Sequence, residues 1–295
     1  MNSDFDTNEQ FVWPDETATA LKTRLMYICN ALRVKKPMSV LDIGCGTGDH
    51  LTAYLAMLFP RTEILGVDAD KASIDHARNK YIHLKNLTFS SSLPPNRVCD
   101  AIIASEVLEH VENPYQFLLS LRPALKDNGL LIITVPNGYG CSEIMALIVV
   151  LLNLSGVLPA LRKVKRFMIK KPKELLLSTT DTLAVSPHIN FFGFRKLHTI
   201  FVHCGFEFQG YRGRMFLHNF ICSMVIDMSK TLAKWNAQLG SVLPPSFVSD
   251  WMFTLKKIPC PSENGNKIYQ RNLYERLRRY LNDVWLACLR QTKTI

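Results

Sequence analysis

Short apolar runs alternate with stretches of helical periodicity along the first half of the chain. The runs predict five strands, at 38–43, 63–68, 87–90, 99–105 and 129–135. The periodic stretches predict helices near 16–34, 48–59, 71–81 and 113–126. This alternation is typical of βαβ units, in which the strands are parallel and the crossovers are right-handed. We therefore expect an α/β fold with a doubly wound sheet, whose ligands bind at the carboxyl ends of the strands.

Three glycines at alternate positions follow the first predicted strand, in the run Val40-Leu-Asp-Ile-Gly-Cys-Gly-Thr-Gly48. Glycines at the end of a strand let a ligand approach the backbone N–H groups without a Cβ in the way. Asp68 ends the second strand, where its carboxylate can accept both hydroxyls of a ribose. Asp42 would repel a pyrophosphate and suits a cationic ligand, such as one with an ammonium and a sulfonium. The pattern predicts an adenosyl cofactor, with a glycine turn of some other α/β sheet as the alternative.

This segment, through about residue 137, resembles motif I and the following acidic position of class I S-adenosylmethionine-dependent methyltransferases. The resemblance implies a seven-stranded Rossmann-like sheet that ends in an antiparallel hairpin, here from strands at 205–211 and 251–257 after a helix at 194–204. It also implies S-adenosylmethionine as the cofactor. The expected cofactor-binding residues are Asp42, Gly44, Cys45, Gly46, Gly48, Asp68, Ala69, Ser91 and Ser105. The acidic residue that many members place after the third strand is missing, and serines occupy that stretch.

A second motif, Glu106-Val-Leu-Glu-His110, follows the fourth predicted strand. On a helical turn, Glu106, Glu109 and His110 would project from one face, beside the methyl donor. The motif resembles the E-x-x-E-H segment of ubiquinone-precursor O-methyltransferases and of small-RNA 3′-terminal 2′-O-methyltransferases, in which both Glu and the His are metal ligands. The small-RNA group has a second histidine downstream, which would correspond here to His188.

The resemblance suggests a divalent-metal site formed by Glu106, Glu109, His110 and His188, with Glu106, His110 and His188 as the catalytic residues. A magnesium or manganese ion there would hold two neighbouring substrate oxygens and lower the pKa of the one to be methylated. Two histidines also leave iron and cobalt as competitors, because magnesium prefers oxygen ligands. The alternative is a metal-free pocket in which His110 is the general base or an orienting group. His188 could separately be a packed core histidine, because it lies beside aromatic residues in the sequence.

An insertion at 140–190 combines an apolar run with a basic cluster. Ile144–Leu152 is continuously apolar, and seven cations with no acid follow between Arg162 and Lys173. The run is too short and too interrupted to span a bilayer. The pattern is typical of a segment that lies on an anionic membrane surface. The alternative is a helical substrate lid with a solvated basic rim. Nucleic acid is disfavoured as a partner, because Phe167 is the one aromatic residue in the basic run.

Composition adds limits on compartment and domain organisation. The chain has 295 residues, a net charge of +10 and eight cysteines without a C-x-x-C pair, which favours a reducing compartment. The N-terminal sixteen residues are polar and acidic, unlike a secretory signal. We expect a cytoplasmic protein, peripheral on the inner face of a membrane if the insertion binds lipid. The methyltransferase domain is predicted over 1–258, followed over 259–295 by a polar linker and a basic amphipathic helix.

These observations together predict an O-methyltransferase. Its acceptor would be a hydroxyl with a neighbouring oxygen on a sugar, phenol or quinone-like molecule, either a free small molecule or one linked to a lipid. The first alternative is 2′-O-methylation at an RNA 3′ end. The second is a cofactor-binding membrane partner without catalytic activity, because motif I and Asp68 argue for cofactor binding alone.

Overall fold

A seven-stranded sheet forms the centre of the molecule in a computed structural model that describes residues 19–157, 188–217, 229–258 and 269–292. The strand order is β3-β2-β1-β4-β5-β7-β6, in which β1 to β5 are parallel and β7 runs antiparallel to both of its neighbours. The strands are β1 Ser39–Ile43, β2 Glu63–Val67, β3 Leu87–Ser90, β4 Cys99–Ser105, β5 Leu125–Pro136, β6 Phe206–Gly213 and β7 Asp250–Lys257. This order confirms the predicted doubly wound sheet with a terminal antiparallel hairpin.

Helices cover both faces of the sheet, and each face has its own apolar core. Leu55 of α2 and Ile74 of α3 are buried in one core, whereas Leu118 of α4 and Phe201 of α6 are buried in the other. The described helices are α1 Thr19–Lys35, α2 Thr52–Leu58, α3 Lys71–Lys80, α4 Pro114–Leu121, α5 Cys141–Leu154, α6 Phe194–His203, α7 Lys230–Val242 and α8 Leu273–Thr292. The burial of the sheet on both faces explains why its central strands are apolar runs without alternation.

Two predicted helices are longer than the structure has them, for local reasons. α2 begins at Thr52 and not at residue 48, because Gly48 adopts a φ of +76° that no right-handed helix contains. α4 begins after Asn113, whose side chain accepts a hydrogen bond from the Tyr115 N–H at 3.1 Å. It ends at Leu121 and not at residue 126, because Leu125 already pairs with β4 as the first residue of β5.

Helix α7 was not predicted from the pattern. Leu232, Trp235 and Val242 are exposed and Leu239 is half-buried, while the polar Asn236 is buried. The Asn236 side-chain amide forms two hydrogen bonds with the backbone of Leu217. Its Nδ2 donates to the Leu217 carbonyl at 2.8 Å, and its Oδ1 accepts from the Leu217 N–H at 2.9 Å. A helix that is buried through a polar residue leaves no apolar stripe in the sequence.

The insertion and the C-terminal tail are described in part. Helix α5 contains the apolar run of the insertion, and α8 is the C-terminal helix that the sequence predicts. The basic cluster at 162–173, the remainder of the predicted lid up to 187, and the linker at 259–266 lie outside the described residues. The domain boundary at 258 therefore stays a prediction. In the described part of the chain, no helix combines the length and apolarity needed to cross a membrane.

Candidate active site

The glycine loop after β1 has the backbone conformation that the sequence predicts. Gly44 has a φ of +74°, and a Cβ there would lie 2.5 Å from the Val107 side chain. Gly46 and Gly48 also have positive φ. Glycine is required at Gly44 on two grounds, since a side chain would strain the backbone and collide with a neighbouring loop.

Asp68 lies at the tip of β2, facing this loop. Its Oδ2 accepts the Gly46 N–H at 2.8 Å, and its Oδ1 accepts the Asp70 N–H at 2.9 Å. Each carboxylate oxygen has a further lone pair for a ligand hydroxyl. Ala69 and Ser91 line the same cavity of about 360 Å³, together with Gly44 and Asp68. The structure thus brings together four of the predicted cofactor-binding residues around one cavity.

A second cavity of about 210 Å³ lies beside the first and shares Gly44 and His110 with it. The sequence predicted most of its wall, but Arg24 of α1 was missed. The cavity is lined by Arg24, Asp42, Gly44, Cys45, Gly46, Thr47, His50, Leu51, Ser105, Glu106, Glu109, His110 and His188. A larger open groove of about 870 Å³, near Tyr27 and Arg212, contains none of the predicted site residues.

Asp42, Cys45 and Ser105 take different positions in this second cavity. The Asp42 Oδ2 accepts a hydrogen bond from the Thr52 hydroxyl at 2.7 Å, and only 2% of the residue is exposed. Burial raises the pKa of Asp42 to about 7, against which the Thr52 hydrogen bond acts. Burial also raises the pKa of the Cys45 thiol, which is therefore unreactive at neutral pH. The Ser105 and Thr134 hydroxyls bond each other at 2.9 Å.

Arg24 belongs to a buried charge cluster around Glu106. Its Nη1 lies 3.8 Å from Glu106 Oε1, and Arg214 Nη1 lies 3.9 Å from Glu106 Oε2. The Arg24 Nε has no hydrogen-bond partner among the described residues. Burial opposes the ionisation of Glu106, but Arg214 and Arg24 outweigh it and lower the pKa of this carboxyl well below its ordinary range. No local pattern marks Arg24, because its charge partner Glu106 and the neighbouring Arg214 are distant in the sequence.

The E-x-x-E-H segment does not form the helical turn that the sequence suggested. Glu106 has a φ of +57°, and its N–H donates to the Thr134 carbonyl at 2.9 Å, so the chain leaves β4 through a left-handed residue. A short 3₁₀ turn, Leu108–His110, follows. Glu106 is thereby directed toward the two arginines and accepts the Thr134 hydroxyl at 2.6 Å.

The other three predicted ligands converge. One candidate ligand atom from each of Glu109, His110 and His188 lies within 4.8 Å of the other two. Glu109 is 1% exposed, and neither of its carboxyl oxygens has a hydrogen-bond partner among the described residues. Burial and the nearby charge of Glu106 raise the pKa of Glu109 above its ordinary range. A buried carboxyl without a hydrogen-bond partner in the described structure, beside two imidazoles, offers donor atoms of the types that divalent metal ions bind.

His188 is connected to helix α5 through one ring nitrogen. Its Nδ1 lies 2.8 Å from Glu143 Oε1, and Glu143 Oε2 lies 3.1 Å from Arg278 Nη2. Burial opposes protonation of the ring, but the hydrogen bond and charge of Glu143 raise the pKa of His188 to about 9. The His110 and His188 rings meet edge to face, with centroids 5.2 Å apart. His188 is thus a partner of charged groups, not a histidine packed among apolar side chains.

The chain is similar in sequence to known methyltransferases. The family model described as "Methyltransferase domain" matches residues 17–209. The ubiquinone biosynthesis O-methyltransferase of Rickettsia canadensis is 31% identical over 150 residues, which are 49% of this chain and 61% of that protein. The mitochondrial ubiquinone biosynthesis O-methyltransferase of Dictyostelium discoideum is 32% identical over 154 residues, covering 42% of this chain and 47% of that protein.

These matches thus span between about half and three fifths of the length of the two relatives. Among solved structures, a SAM-dependent methyltransferase from Aquifex aeolicus aligns with a TM-score of 0.44 at 13% identity, over 75% of this chain and 82% of that one. The family match extends over more than half of the chain. The chain belongs to the methyltransferase domain family and is a class I S-adenosylmethionine-dependent methyltransferase.

Proposed function

We propose that the chain transfers the methyl group of S-adenosylmethionine to a hydroxyl oxygen that has a second oxygen beside it, on a phenol, a quinone-like molecule or a sugar. The observation that carries the proposal is the buried Glu109 carboxyl, which lies with His110 and His188 on the wall of the second cavity. The likeness to proteins named ubiquinone biosynthesis O-methyltransferases favours the quinone-like acceptor among these.

The cofactor would occupy both cavities. We assign Asp68 to the ribose hydroxyls, because its two oxygens retain lone pairs on the cavity side. The backbone of Gly44–Gly48 would lie against the methionine moiety. Arg24 is suited to the carboxylate of that moiety, since its buried Nε lacks a hydrogen-bond partner in the described structure. Asp42 is suited to the ammonium, which would favour the ionised form of this acid.

Glu109, His110 and His188 are the proposed metal ligands. Two imidazoles favour manganese over magnesium, because magnesium prefers oxygen donors. When bound, such an ion would hold two neighbouring acceptor oxygens and lower the pKa of the one to be methylated. Glu106 completes the predicted set, although in this structure its carboxylate lies between Arg24 and Arg214 and contributes a fixed negative charge to the cavity.

The protein's own residues would align the reaction and receive the proton. The acceptor oxygen forms its bond to the methyl carbon as the carbon–sulfur bond breaks, and the hydroxyl proton must leave near that transition state. His110 lines both cavities, so it lies where methyl donor and acceptor meet. We assign His110 to take up that proton in the metal-free form of the mechanism.

The test is calorimetric titration of S-adenosylhomocysteine into EDTA-treated protein, repeated with magnesium and with manganese. We expect cofactor binding in every condition and a manganese heat that Glu109→Gln abolishes. Glu112→Gln is the matched control, because Glu112 belongs to the same segment but is exposed and paired with Arg271 and Arg279. Cofactor binding without a metal response would remove the metal and leave His110 as the base.

Acceptor class needs its own assay. Protein loaded with S-adenosylmethionine would be offered a catechol, a simple phenol, a sugar diol and an RNA with a free 3′-terminal diol, with S-adenosylhomocysteine formation as the readout. Turnover of the catechol above the simple phenol supports vicinal oxygens as the recognised feature. Turnover of the RNA alone would contradict the small-molecule acceptor, and turnover of none would favour a cofactor-binding partner without catalysis.

We also propose that the acceptor is linked to a lipid and that the chain contacts an anionic membrane surface. Helix α5 supports this with four exposed apolar residues at helical spacing, Ile144, Ile148, Leu151 and Leu152. The basic cluster that follows in the sequence would add on the order of 1 kcal/mol per cation near such a surface.

Sedimentation with anionic vesicles tests the membrane proposal. Lys163→Glu/Lys165→Glu should reduce the bound fraction on phosphatidylserine vesicles. Lys71→Glu/Lys85→Glu makes the same change in net charge on α3 and the segment after it, and should leave binding intact. Equal losses in both variants, or none in either, would contradict a contact made by the insertion.

A further inference from the structure

His188 is fixed by a chain of polar contacts on the side of its Nδ1. That nitrogen lies 2.8 Å from Glu143 Oε1, which belongs to helix α5. A carboxylate accepts hydrogen bonds but donates none when ionised, so the His188 Nδ1 must carry a proton. The opposite ring nitrogen, Nε2, is then the atom that can bind a ligand in the second cavity once the ring has lost its other proton.

Arg278 of the C-terminal helix α8 holds Glu143 in turn. Its Nη2 donates to Glu143 Oε2 at 3.1 Å and to the Glu143 backbone carbonyl at 3.0 Å. Arg278 is 2% exposed and its guanidinium carbon lies 5.2 Å from the centroid of the Phe191 ring. A buried guanidinium that bonds both the side chain and the backbone of one residue fixes that residue more firmly than a surface pair does.

Among its described residues, the C-terminal helix buries polar and charged side chains, while Leu281 and Val284 are half-buried. Glu275, Arg278 and Asn282 are buried, whereas Leu273 and Leu277 are 83% and 55% exposed. The Asn282 amide donates to the His188 carbonyl at 3.1 Å. Arg278, one turn earlier, lies against Phe191, so both residues contact the segment that carries His188. Burying charged residues is costly unless they are paired. If the helix only had to pack against the domain, an apolar face would do so at a lower free-energy cost.

We propose that Glu143 and Arg278 are positioning residues, which hold His188 with Nδ1 toward α5 and so present Nε2 to Glu109 and His110. The C-terminal helix is on this view part of the active site, although its residues do not line the second cavity. The proposal rests on the proposed function in that the cavity is taken to bind a metal or an acceptor. Carboxylates that orient a ligating histidine raise metal affinity by about 10–100-fold in other sites.

The test uses a variant that removes both buried partners together, Glu143→Met/Arg278→Met. Deleting one alone would leave an unpaired buried charge and could unfold the protein, while replacing both by apolar groups of similar size is close to neutral. Arg276→Met is the matched control, because Arg276 is an exposed arginine on the same helix. Arg278→Lys keeps the positive charge, so it should disturb the position of His188 less than the double variant does.

Two readouts apart from activity separate positioning from simple packing. The first is the His188 Nδ1–H resonance in histidine-labelled protein, assigned by its absence in His188→Gln. The second is the manganese dissociation constant. In the double variant we expect loss of the hydrogen-bonded Nδ1–H signal and about a 10–100-fold weaker manganese affinity. S-Adenosylhomocysteine affinity should stay unchanged in the Glu143 and Arg278 variants, because neither residue lines either of the two cavities.

An unchanged Nδ1–H signal in the double variant would overturn the proposal, whatever happens to stability. A manganese affinity within twofold of wild type would do the same when the wild type binds manganese. If the wild type binds no manganese, the metal part of the proposed function fails, and the Nδ1–H signal still decides on positioning. Loss of the signal in Arg276→Met as well would also count against the assignment, since it would show a general effect on the helix.

Discussion

The fold disfavours the charge of Asp42, and Asp42→Asn is the substitution that measures by how much. Burial raises the pKa of this carboxyl to about 7, from an ordinary value of 3.8. Between these values the unfolded chain has lost the proton and the folded chain keeps it, so stability falls as the pH rises. The loss is complete above pH 7 and amounts to about 4 kcal/mol, because each pH unit between the two pKa values contributes about 1.4 kcal/mol.

Urea unfolding of wild type and Asp42→Asn, without cofactor, tests this at about pH 5 and about pH 8.5. From pH 5 to pH 8.5, the free energy of unfolding of the variant should rise by about 3 kcal/mol relative to that of the wild type. About two of the three pH units between the ordinary pKa of 3.8 and the raised pKa of about 7 lie above pH 5. Asp75→Asn is the control, since Asp75 is an exposed acid paired with Arg78. Its difference from wild type should stay constant, and a difference that is equally constant for Asp42→Asn would refute the reasoning.

The same substitution tests the role of Asp42 toward the cofactor. An ammonium beside Asp42 favours the carboxylate, so binding of S-adenosylhomocysteine near pH 7 should release about half a proton. Calorimetry in two buffers of different ionisation enthalpy measures that release. Asp42→Asn should bind the ligand more weakly and release no proton from this position. Equal proton release by wild type and variant would remove Asp42 from the cofactor site.

Three further substitutions have outcomes that urea unfolding can measure. Gly44→Ala should lower the free energy of unfolding by roughly 1–2 kcal/mol through its positive φ alone, with more from the contact with Val107; an unchanged value would contradict the conformation of the loop. Arg214→Met should cost about 3–5 kcal/mol, because it leaves the buried Asp250 unpaired, and most of this should return in Arg214→Met/Asp250→Met. Leu277→Gln should change stability by less than about 0.5 kcal/mol, because Leu277 is 55% exposed; a loss of several kcal/mol would show that this face of the helix is covered.

Much of the fold could be predicted because its signals are local. The strands before Gly44 and Asp68 are short apolar runs with polar ends. A parallel strand that is buried on both faces has this sequence pattern in any part of the sheet. The spacing from Gly44 to Asp68 also predicted that these two residues lie close together, since adjacent parallel strands end at the same edge of the sheet. The structure places these groups around one cavity, as predicted.

The remainder depends on contacts between distant parts of the chain. Arg24 lies in a helix with an ordinary apolar pattern, and its partner Glu106 is more than eighty positions away. The left-handed conformation of Glu106 has no local sign, since glycine is the usual residue there. Arg278 is buried against a carboxylate of α5, whereas Leu273 and Leu277 of its own helix are exposed. Periodicity reports apolar burial and is silent about buried ion pairs.

The segment that returns after the insertion is tied to the 3₁₀ turn by several backbone contacts. The Ile189 and Asn190 N–H groups both donate to the Glu109 carbonyl, at 2.9 and 3.0 Å. The Asn190 amide bonds the carbonyls of Leu108 and Val111. The chain is therefore anchored beside the cavity where it returns at residue 188. These hydrogen bonds hold His188 next to the 3₁₀ turn that carries Glu109 and His110, so the three candidate ligands belong to one hydrogen-bonded unit of backbone.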